Sequence, residues 1–306
     1  MKLQVTHHTS YAYSPAVETA QHMACLKPVD SSCQSLLAYK LEIGPTPSQQ
    51  LTQRDVFHNE QTFFSLQSPH DTLDVISHST VETHTPPTFE STVAWESVRD
   101  LFRYKAGTLF DPANEFVFPS PYIKRHEDFI AYARESFPPG APLLQAAQDL
   151  MHRIHRDFTY ESNSTQINTP ALEALAARKG VCQDFAHIMI ACLRSLGLSA
   201  RYVSGYLLTH PAPGKERLIG SDASHAWVSV YLPDLPGAAD GAGWWDLDPT
   251  NDHDGWGSPS EEYIRLAYGR DFSDVSPIRG VIHGGAKHTL RVAVTVQPLE
   301  AVSASS

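Results

Sequence analysis

The stretch from Gly180 to Leu207, GVCQDFAHIMIACLRSLGLSARYVSGYL, constrains the fold more than any other part of the chain. Its first half carries one apolar stripe at helical spacing, formed by residues 182, 185, 189, 193 and 196. Leu196-Gly197 ends this helix, and the β-branched and aromatic residues of RYVSGYLL are typical of a strand. HAWVSVYL and GWWDLD predict two further strands. Helices followed by consecutive strands predict an α+β fold, with helices packed on an antiparallel sheet.

Two helices are expected before this stretch. Residues 141–157, APLLQAAQDLMHRIHRD, have helical periodicity. The next helix is expected to have Thr169 as its N-cap and Pro170 as its first residue, and to stop at Gly180. These helices and the strands that follow them predict a core domain over residues 137–275.

The N-terminal residues, 1–90, instead show strand-like alternation between proline-rich breaks, which predicts an all-β domain of about six or seven strands. His7 and His8 are adjacent in the first strand and would point to opposite faces, which favours a structural role over metal binding. Residues 91–136 are expected to form a connector with short helices, and residues 276–306 a C-terminal strand and tail.

Charge limits the partners that this chain is expected to bind. Its 23 Lys and Arg residues against 34 Asp and Glu residues give a formal net charge of −11, which would repel nucleic acid and anionic membranes. The first residues lack an apolar segment of signal-peptide length, and no run of roughly 18 apolar residues occurs. The expectation is a cytoplasmic protein with neither nucleic-acid nor membrane partners.

The cysteines must be considered one by one, since four in 306 residues are too few for a disulfide framework and no pair has C-x-x-C spacing. Cys182 lies on the apolar stripe, which is compatible with a buried core residue. Its place in the first turn of a helix also favours a reactive thiolate, because unsatisfied N–H groups and the helix dipole stabilise negative charge there. Cys192, in the interior of the same helix, is expected to be core.

A nucleophilic thiol needs a base, and His225 at the start of a strand is the candidate. In an antiparallel hairpin of residues 224–231 and 243–248, Asp248 is expected opposite His225, where it would orient the imidazole. Asp246 has the same parity and would face Trp227. It becomes the candidate if the register slips by two residues.

These segments carry a family resemblance. GVCQDFAHIMIACLRSLGLSARYVSGYL, SHAWVSVYL and GWWDLDPTN resemble the three core motifs of the transglutaminase-like superfamily. HHTSYAYSPAVETAQHMACLKPVD and AYGRDFSDVSPIRGVIHGG resemble further segments of its bacterial branch. The chain departs from that branch at MACLKPVD, where an arginine-rich run is usual, and in the polar insertion THPAPGKERLIGSD, residues 209–222, which would reshape substrate access.

The resemblance implies a papain-like core and a catalytic triad. It places the nucleophile at Cys182, the base at His225 and the orienting acid at Asp248. The implied activity is that of a cysteine-dependent amide-bond hydrolase or acyltransferase, acting through a thioester on a peptide, a protein or a small amide without a cofactor. The resemblance favours hydrolysis by a peptidase or amidase over protein crosslinking.

Three further side chains are assigned to the substrate cleft. The backbone N–H of Cys182 is expected to hold an oxyanion, and Gln183 adjoins it. Trp227 and Trp244 are expected to form core and cleft walls rather than to act as catalysts.

A calcium loop is an alternative role for residues 250–261, TNDHDGWGSPSE. Asp252, Asp254 and Glu261 fall at positions 3, 5 and 12 of an EF-hand loop. The first position is threonine, however, a proline interrupts the loop and no helix precedes it. A solvated turn without a metal is therefore expected.

Two other classes of protein remain as hypotheses. One is a non-catalytic binding or scaffold protein on the same fold, although such relatives typically lack members of the triad. The other is a metal hydrolase that uses His225, Asp248 and either His253 or Cys182, although the spacing of these residues matches no standard zinc pattern.

Overall fold

A single long strand organises the N-terminal part of the chain in the computed structural model. The structure describes residues 1–103, 106–107, 111–161, 169–210, 224–238, 241–285 and 287–299. The long strand belongs to a seven-stranded antiparallel sheet. The strands of this sheet are β1 (Lys2–Ala24), β2 (Gln34–Gly44), β3 (Gln49–Arg54), β4 (Glu60–Leu66), β5 (His70–Thr83), β13 (Ile278–Gly284) and β14 (Lys287–Pro298).

The first 90 residues supply five of these strands, so the prediction of six or seven is wrong. One reason is that β1 is a single strand of 23 residues that changes partners along its length. Its first part pairs with β5 and β14, and its second part, beyond a register irregularity, pairs with β4 and β13. The C-terminal segment, predicted as one strand, forms two strands that complete this sheet.

The second large sheet has five antiparallel strands in the order β11-β10-β9-β8-β12. These strands are β8 (Ala200–Leu207), β9 (Ser224–Tyr231), β10 (Trp244–Asp248), β11 (His253–Trp256) and β12 (Tyr263–Gly269). The helices are α1 (Trp95–Leu101), a 3₁₀ helix (Pro112–Val117), α2 (Glu127–Ala133), α3 (Leu143–Asp157), α4 (Ala171–Ala177), α5 (Cys182–Ser195) and α6 (Phe272–Val275). The α+β fold class predicted from the sequence is confirmed.

Helix α5 is the centre of the main hydrophobic core. All of its residues from Asp184 to Arg194 are buried. One side of the helix packs on β8 and β9, and α2, α3 and α4 contact it from other sides. Leu3 and Val5 of β1 belong to the same core cluster, and His7 of β1 bonds Tyr206 of β8, so the N-terminal sheet packs on the second sheet. The packing of α5 fixes the position of its N-terminal end, where Cys182 lies.

The boundaries of α4 differ from the prediction. Its N-cap is Pro170 rather than Thr169, and the helix ends at Ala177 because Arg178 takes a left-handed conformation with φ of 54°. The predicted stop, Gly180, instead pairs with Tyr160 in a short parallel two-stranded sheet of β6 (Thr159–Tyr160) and β7 (Lys179–Gly180). For α3, the predicted span of 141–157 is confirmed to within two residues.

The polar insertion at 209–222 lies outside the described residues, except for Thr209 and His210. Within the part of the chain that the structure describes, no helix has both the length and the apolar character needed to cross a membrane.

Candidate active site

Cys182 is the first residue of α5. The preceding Val181 is extended and serves as the N-cap, and its N–H donates a 2.8 Å hydrogen bond to the Asp184 carboxylate, which closes the first turn. Gly180 is required here, because a Cβ at this position would lie 2.7 Å from Cβ of Asp184. The four thiols are free, and Cys182 is partly exposed while Cys25, Cys33 and Cys192 are buried. Reagents in solvent can therefore reach Cys182 most readily.

His225 lies where β9 packs on α5, and its imidazole joins two other side chains. One is Cys182, which is close enough to raise the pKa of the imidazole through its charge and through a hydrogen bond. The other is Asp248, whose Oδ2 lies 2.7 Å from Nε2 of His225. Because Nε2 is engaged by the carboxylate, Nδ1 is the ring nitrogen left for the thiol. The three predicted triad residues therefore meet, with the imidazole between the thiol and the carboxylate.

Asp248 is fully buried and is held by several donors. The Tyr263 hydroxyl and the Asn251 amide donate to Oδ2 at 2.7 and 2.8 Å, and the Thr250 backbone N–H donates to Oδ1 at 2.8 Å. Burial alone would raise the pKa of Asp248, but the positive charge of His225 and these side-chain hydrogen bonds prevail and lower it to about 2. Asp248 is therefore ionised near neutral pH despite its burial.

The charge of Asp248 acts in turn on His225. Burial, the largest single influence, would lower the pKa of the imidazole. The Asp248 charge and the hydrogen bonds with Asp248 and Cys182 together outweigh burial and raise the pKa of His225 to about 10. Near neutral pH the pair is thus an imidazolium and a carboxylate, with the positive charge placed beside a thiol.

The strand register differs from the prediction by two residues, in the direction that moves Asp246 away from His225. Asp246 pairs with Ser229 and Leu247 with Val228, so the same register places Asp248 across from Trp227 rather than from His225. The Asp248 carboxylate reaches His225 diagonally. Asp246 is occupied elsewhere: it accepts hydrogen bonds from Trp227 Nε1 at 2.9 Å, from the Ser229 hydroxyl and from the Arg265 guanidinium.

The structure corrects two of the three cleft assignments. Trp227 is fully buried and stacks on His225 with ring centroids 6.1 Å apart, so it supports the imidazole rather than lining a cleft. Trp244 pairs with Tyr231 at the far end of the hairpin, about 20 Å from His225 at roughly 3.3 Å per residue. Gln183 is partly exposed and adjoins Cys182 on α5, as a residue at the cleft would be.

Tyr263 and Asn251 are the site residues that the sequence interpretation missed. Asn251 follows Asp248 by three residues in the turn after β10, a local signal that was available. Tyr263 lies on β12, which joins the sheet beyond β8, so no local pattern connects it with Asp248. Its ring lies 5.8 Å from that of His225 and 5.5 Å from that of Trp227.

The carboxylates of the considered calcium loop do not converge. Asp252 bonds His152, whereas Asp254 accepts from Gln148 and from Trp245 at 2.8 and 2.7 Å. Glu261 accepts from Thr85 and contacts the N-terminal ammonium group. Among the described residues, moreover, no group of three or more His, Cys, Asp or Glu side chains has the geometry to hold a metal ion.

Comparison with known proteins places this chain in a family. The model for the bacterial transglutaminase-like N-terminal region matches residues 3–82, and that for the transglutaminase-like superfamily matches residues 130–249. An uncharacterized protein of Mycobacterium tuberculosis is 42% identical over 98% of this chain and 93% of its own length. A protein-glutamine gamma-glutamyltransferase of Pseudomonas aeruginosa is 28% identical over 36% of this chain and 18% of its own length.

One solved structure supports the same conclusion at the level of the fold. It is a candidate cysteine protease from Cytophaga hutchinsonii, 19% identical, with a TM-score of 0.70 over 99% of this chain and 92% of that chain. The family models, the mycobacterial relative and this shared fold agree with one another. The chain therefore belongs to the transglutaminase-like superfamily.

Proposed function

We propose that this protein is a cysteine-dependent hydrolase of amide bonds that acts through a thioester intermediate. The observation that supports it most is the position of the His225 imidazole, which bonds Cys182 on one side and Asp248 on the other. A thiol, an imidazole and a carboxylate in this order form an activated nucleophile, its acid-base partner and an orienting group.

Acylation would begin with attack of the Cys182 thiolate on the amide carbonyl carbon. The negative charge moves to the carbonyl oxygen, where the N–H groups of the first turn of α5, which have no acceptor within the helix, can stabilise it. Collapse of this intermediate breaks the carbon–nitrogen bond, and the His225 imidazolium gives its proton to the departing amine. The acyl group is then bound to Cys182 as a thioester.

Deacylation returns the site to its starting state. His225, now neutral, takes a proton from water as the water oxygen attacks the thioester carbonyl, and the thiolate leaves as the carboxylic acid forms. The buried Asp248 carboxylate holds the imidazole in position during both steps. A peptide, a protein or a small amide is the proposed substrate class, and the fold shared with a candidate cysteine protease supports water as the acceptor.

An amine as acyl acceptor is the second candidate function. Attack by an amine on the same thioester would form a new amide and crosslink or modify the substrate. The match of 28% identity with a protein-glutamine gamma-glutamyltransferase over 130 residues favours this option. Both reactions use the same residues and differ only in the second step.

Alkylation by iodoacetamide tests the nucleophile without knowledge of the substrate. The purified protein is labelled between pH 5 and pH 10, and the modified residue is mapped by mass spectrometry. We expect Cys182 to react near neutral pH much faster than Cys192, which is fully buried and serves as an internal control. His225→Ala should slow the labelling of Cys182 at least tenfold. Equal rates for the two thiols would contradict the proposal.

The acceptor is determined by a second assay. Incubation with a glutamine-containing peptide and a fluorescent primary amine distinguishes release of free acid from incorporation of the amine. Acid formation that depends on Cys182 supports hydrolysis, whereas dominant incorporation supports the transferase alternative. Cys182→Ser is the control for both readouts.

A further inference from the structure

A second concave site lies at the end of β9 and β10 opposite to His225 and Asp248. It is a cavity of about 770 Å³, within the range of roughly 300–1,000 Å³ that is usual for small-molecule sites. The ends of these strands, the 3₁₀ helix and the loop after β3 form its walls. Its aromatic lining consists of Phe57, Phe116, Tyr231, Trp244 and Tyr268.

One charged side chain in this lining lacks an acidic partner. The guanidinium of Arg201 lies between two rings, 4.1 Å from the centroid of Trp244 and 3.9 Å from that of Tyr268, and the residue is only 5% exposed. Among the described residues no carboxylate lies within ion-pair distance of it, and its Nε has no hydrogen-bond partner.

Two other buried arginines have partners of a kind that Arg201 lacks. Arg265 pairs with Asp246, although its Nε also has no hydrogen-bond partner, and Arg194 donates to the backbone carbonyls of Phe116, Ala200 and Arg270. A buried guanidinium without a counter-charge is costly, and burial lowers the pKa of Arg201 to about 9. Arg201 is therefore the buried cation that an anionic ligand would stabilise most.

The acidic residues of the lining already have other contacts. Asp111 accepts hydrogen bonds from the Ala113 N–H at 2.8 Å and from the Tyr231 hydroxyl at 3.3 Å. Glu115 faces the Arg270 guanidinium at 3.8 Å. These acids leave Arg201 without a counter-charge and disfavour a ligand group with two negative charges.

We propose that this cavity binds a small organic carboxylate with a planar apolar body. The carboxylate pairs with the Arg201 guanidinium, because the coplanar N–H groups of a guanidinium can donate two parallel hydrogen bonds to the two carboxylate oxygens. The apolar body packs against Phe57, Phe116 and Trp244. A monoanion fits better than a phosphate dianion, because a single arginine supplies the positive charge while Asp111 and Glu115 lie in the same lining.

Isothermal titration of the full chain with three related probes tests this site. The probes are 3-phenylpropionate, its neutral analogue 3-phenylpropionamide, and phenyl phosphate. We expect 3-phenylpropionate to bind at least tenfold more tightly than the amide and more tightly than the phosphate. Equal affinities for the acid and the amide, or no binding of the acid at millimolar concentration, would overturn the proposal. Tighter binding of the phosphate would show that the site prefers a dianion and would also overturn it.

Two substitutions assign the effect to Arg201. Arg201→Gln should weaken binding of 3-phenylpropionate at least tenfold and leave the weak binding of the amide unchanged. Arg201→Lys keeps the positive charge, so it should retain a preference for the acid even if the Gln variant fails to fold. Arg156→Gln, at an exposed ion pair with Asp157 outside the cavity lining, is the matched control and should bind like the wild type. Loss of the preference in Arg156→Gln but not in the Arg201 variants would place the ligand elsewhere.

Discussion

Nε2 of His225 lies 2.7 Å from Oδ2 of Asp248, although the two residues are not paired across their strands. The strand register places Trp227, not His225, across from Asp248, and the carboxylate reaches the imidazole diagonally. Such a contact depends on side-chain direction as well as on register. Its geometry is kept by Tyr263, Asn251 and the Thr250 N–H, which hold the carboxylate oxygens on their other sides.

Replacing Asp248 with asparagine should slow alkylation of Cys182 near neutral pH at least tenfold. The reason is that the Asp248 charge raises the pKa of His225 to about 10, and without it the buried imidazole loses its positive charge at lower pH. Turnover of an amide substrate should fall about 100-fold or more. The rate of iodoacetamide labelling as a function of pH measures the first effect, and the variant should reach the wild-type rate only at higher pH.

Asp246→Asn is the matched control, since Asp246 lies on the same strand and face but bonds Trp227, Ser229 and Arg265. It should keep the pH profile of labelling and instead destabilise the fold by about 3–5 kcal/mol, because it removes the carboxylate partner of a buried arginine. A labelling profile altered equally by both substitutions would contradict the assigned role of Asp248.

Tyr263→Phe should raise the pKa of Asp248, because the Tyr263 hydroxyl is one of the hydrogen bonds that lower it. The pKa of Asp248 in the folded protein then lies closer to its value in the unfolded chain, so the variant should lose less stability than the wild type as the pH falls from about 4 to 2. At neutral pH its stability should be lower by about 1–2 kcal/mol. Urea unfolding as a function of pH measures both effects, and Tyr268→Phe, on the same strand but at the cavity of Arg201, should keep the wild-type acid dependence. A lower stability at neutral pH with an unchanged acid dependence would show that Tyr263 does not act on Asp248.

The sequence predicts the three residues of the candidate site because each has a local signal. Cys182 begins a helix, while His225 and Asp248 lie near the ends of two consecutive strands with the right parity. Tyr263 could not be predicted in this way, since its contact with Asp248 depends on β12 joining the sheet beyond β8. The register also depends on the connection after β9, where Gly237 and Gly241 have positive φ angles that no periodic pattern specifies.

The N-terminal sheet shows the same limit. Strand-like alternation in residues 1–90 predicts an all-β region, and this is what forms. The number of its strands could not be predicted, because β1 is a single strand of 23 residues that exchanges one pair of partners for another. Two of those partners, β13 and β14, come from the opposite end of the chain. Pairing between distant parts of the chain cannot be predicted from the pattern of neighbouring residues.

Gly205→Ala should be strongly destabilising. A Cβ at Gly205 would lie 2.1 Å from the carbonyl oxygen of Ile264 on β12 and 2.5 Å from the ring of Trp227, so the strands would have to separate. We expect a loss of about 3 kcal/mol in the free energy of unfolding, measured by urea titration. Gly44→Ala, where no atom lies within 4 Å of the new Cβ, should cost no stability. Similar effects of the two substitutions would contradict the close approach of β8 and β12.

The stability of the protein should fall as the pH drops from about 6.5 to 4. Burial lowers the pKa of His7, His22 and His187 to about 4, so each is neutral in the folded protein where the unfolded chain is already protonated. The unfolded state then binds more protons than the folded state. The contribution of the three histidines to stability, which is present above pH 6.5, is therefore lost as the pH falls towards 4. For His7 alone, the full effect is about 3 kcal/mol.

His7→Gln separates this titration from other effects of acid. The imidazole of His7 bonds the Tyr206 hydroxyl at 2.8 Å and that of Thr9 at 2.9 Å, and an amide can replace part of these contacts without titrating. Urea unfolding of the variant should therefore show a smaller loss of stability between pH 7 and pH 4.5 than that of the wild type. His84→Gln, at an exposed position, should keep the wild-type dependence. An identical pH dependence for His7→Gln and the wild type would mean that His7 does not gain a proton on unfolding in this range.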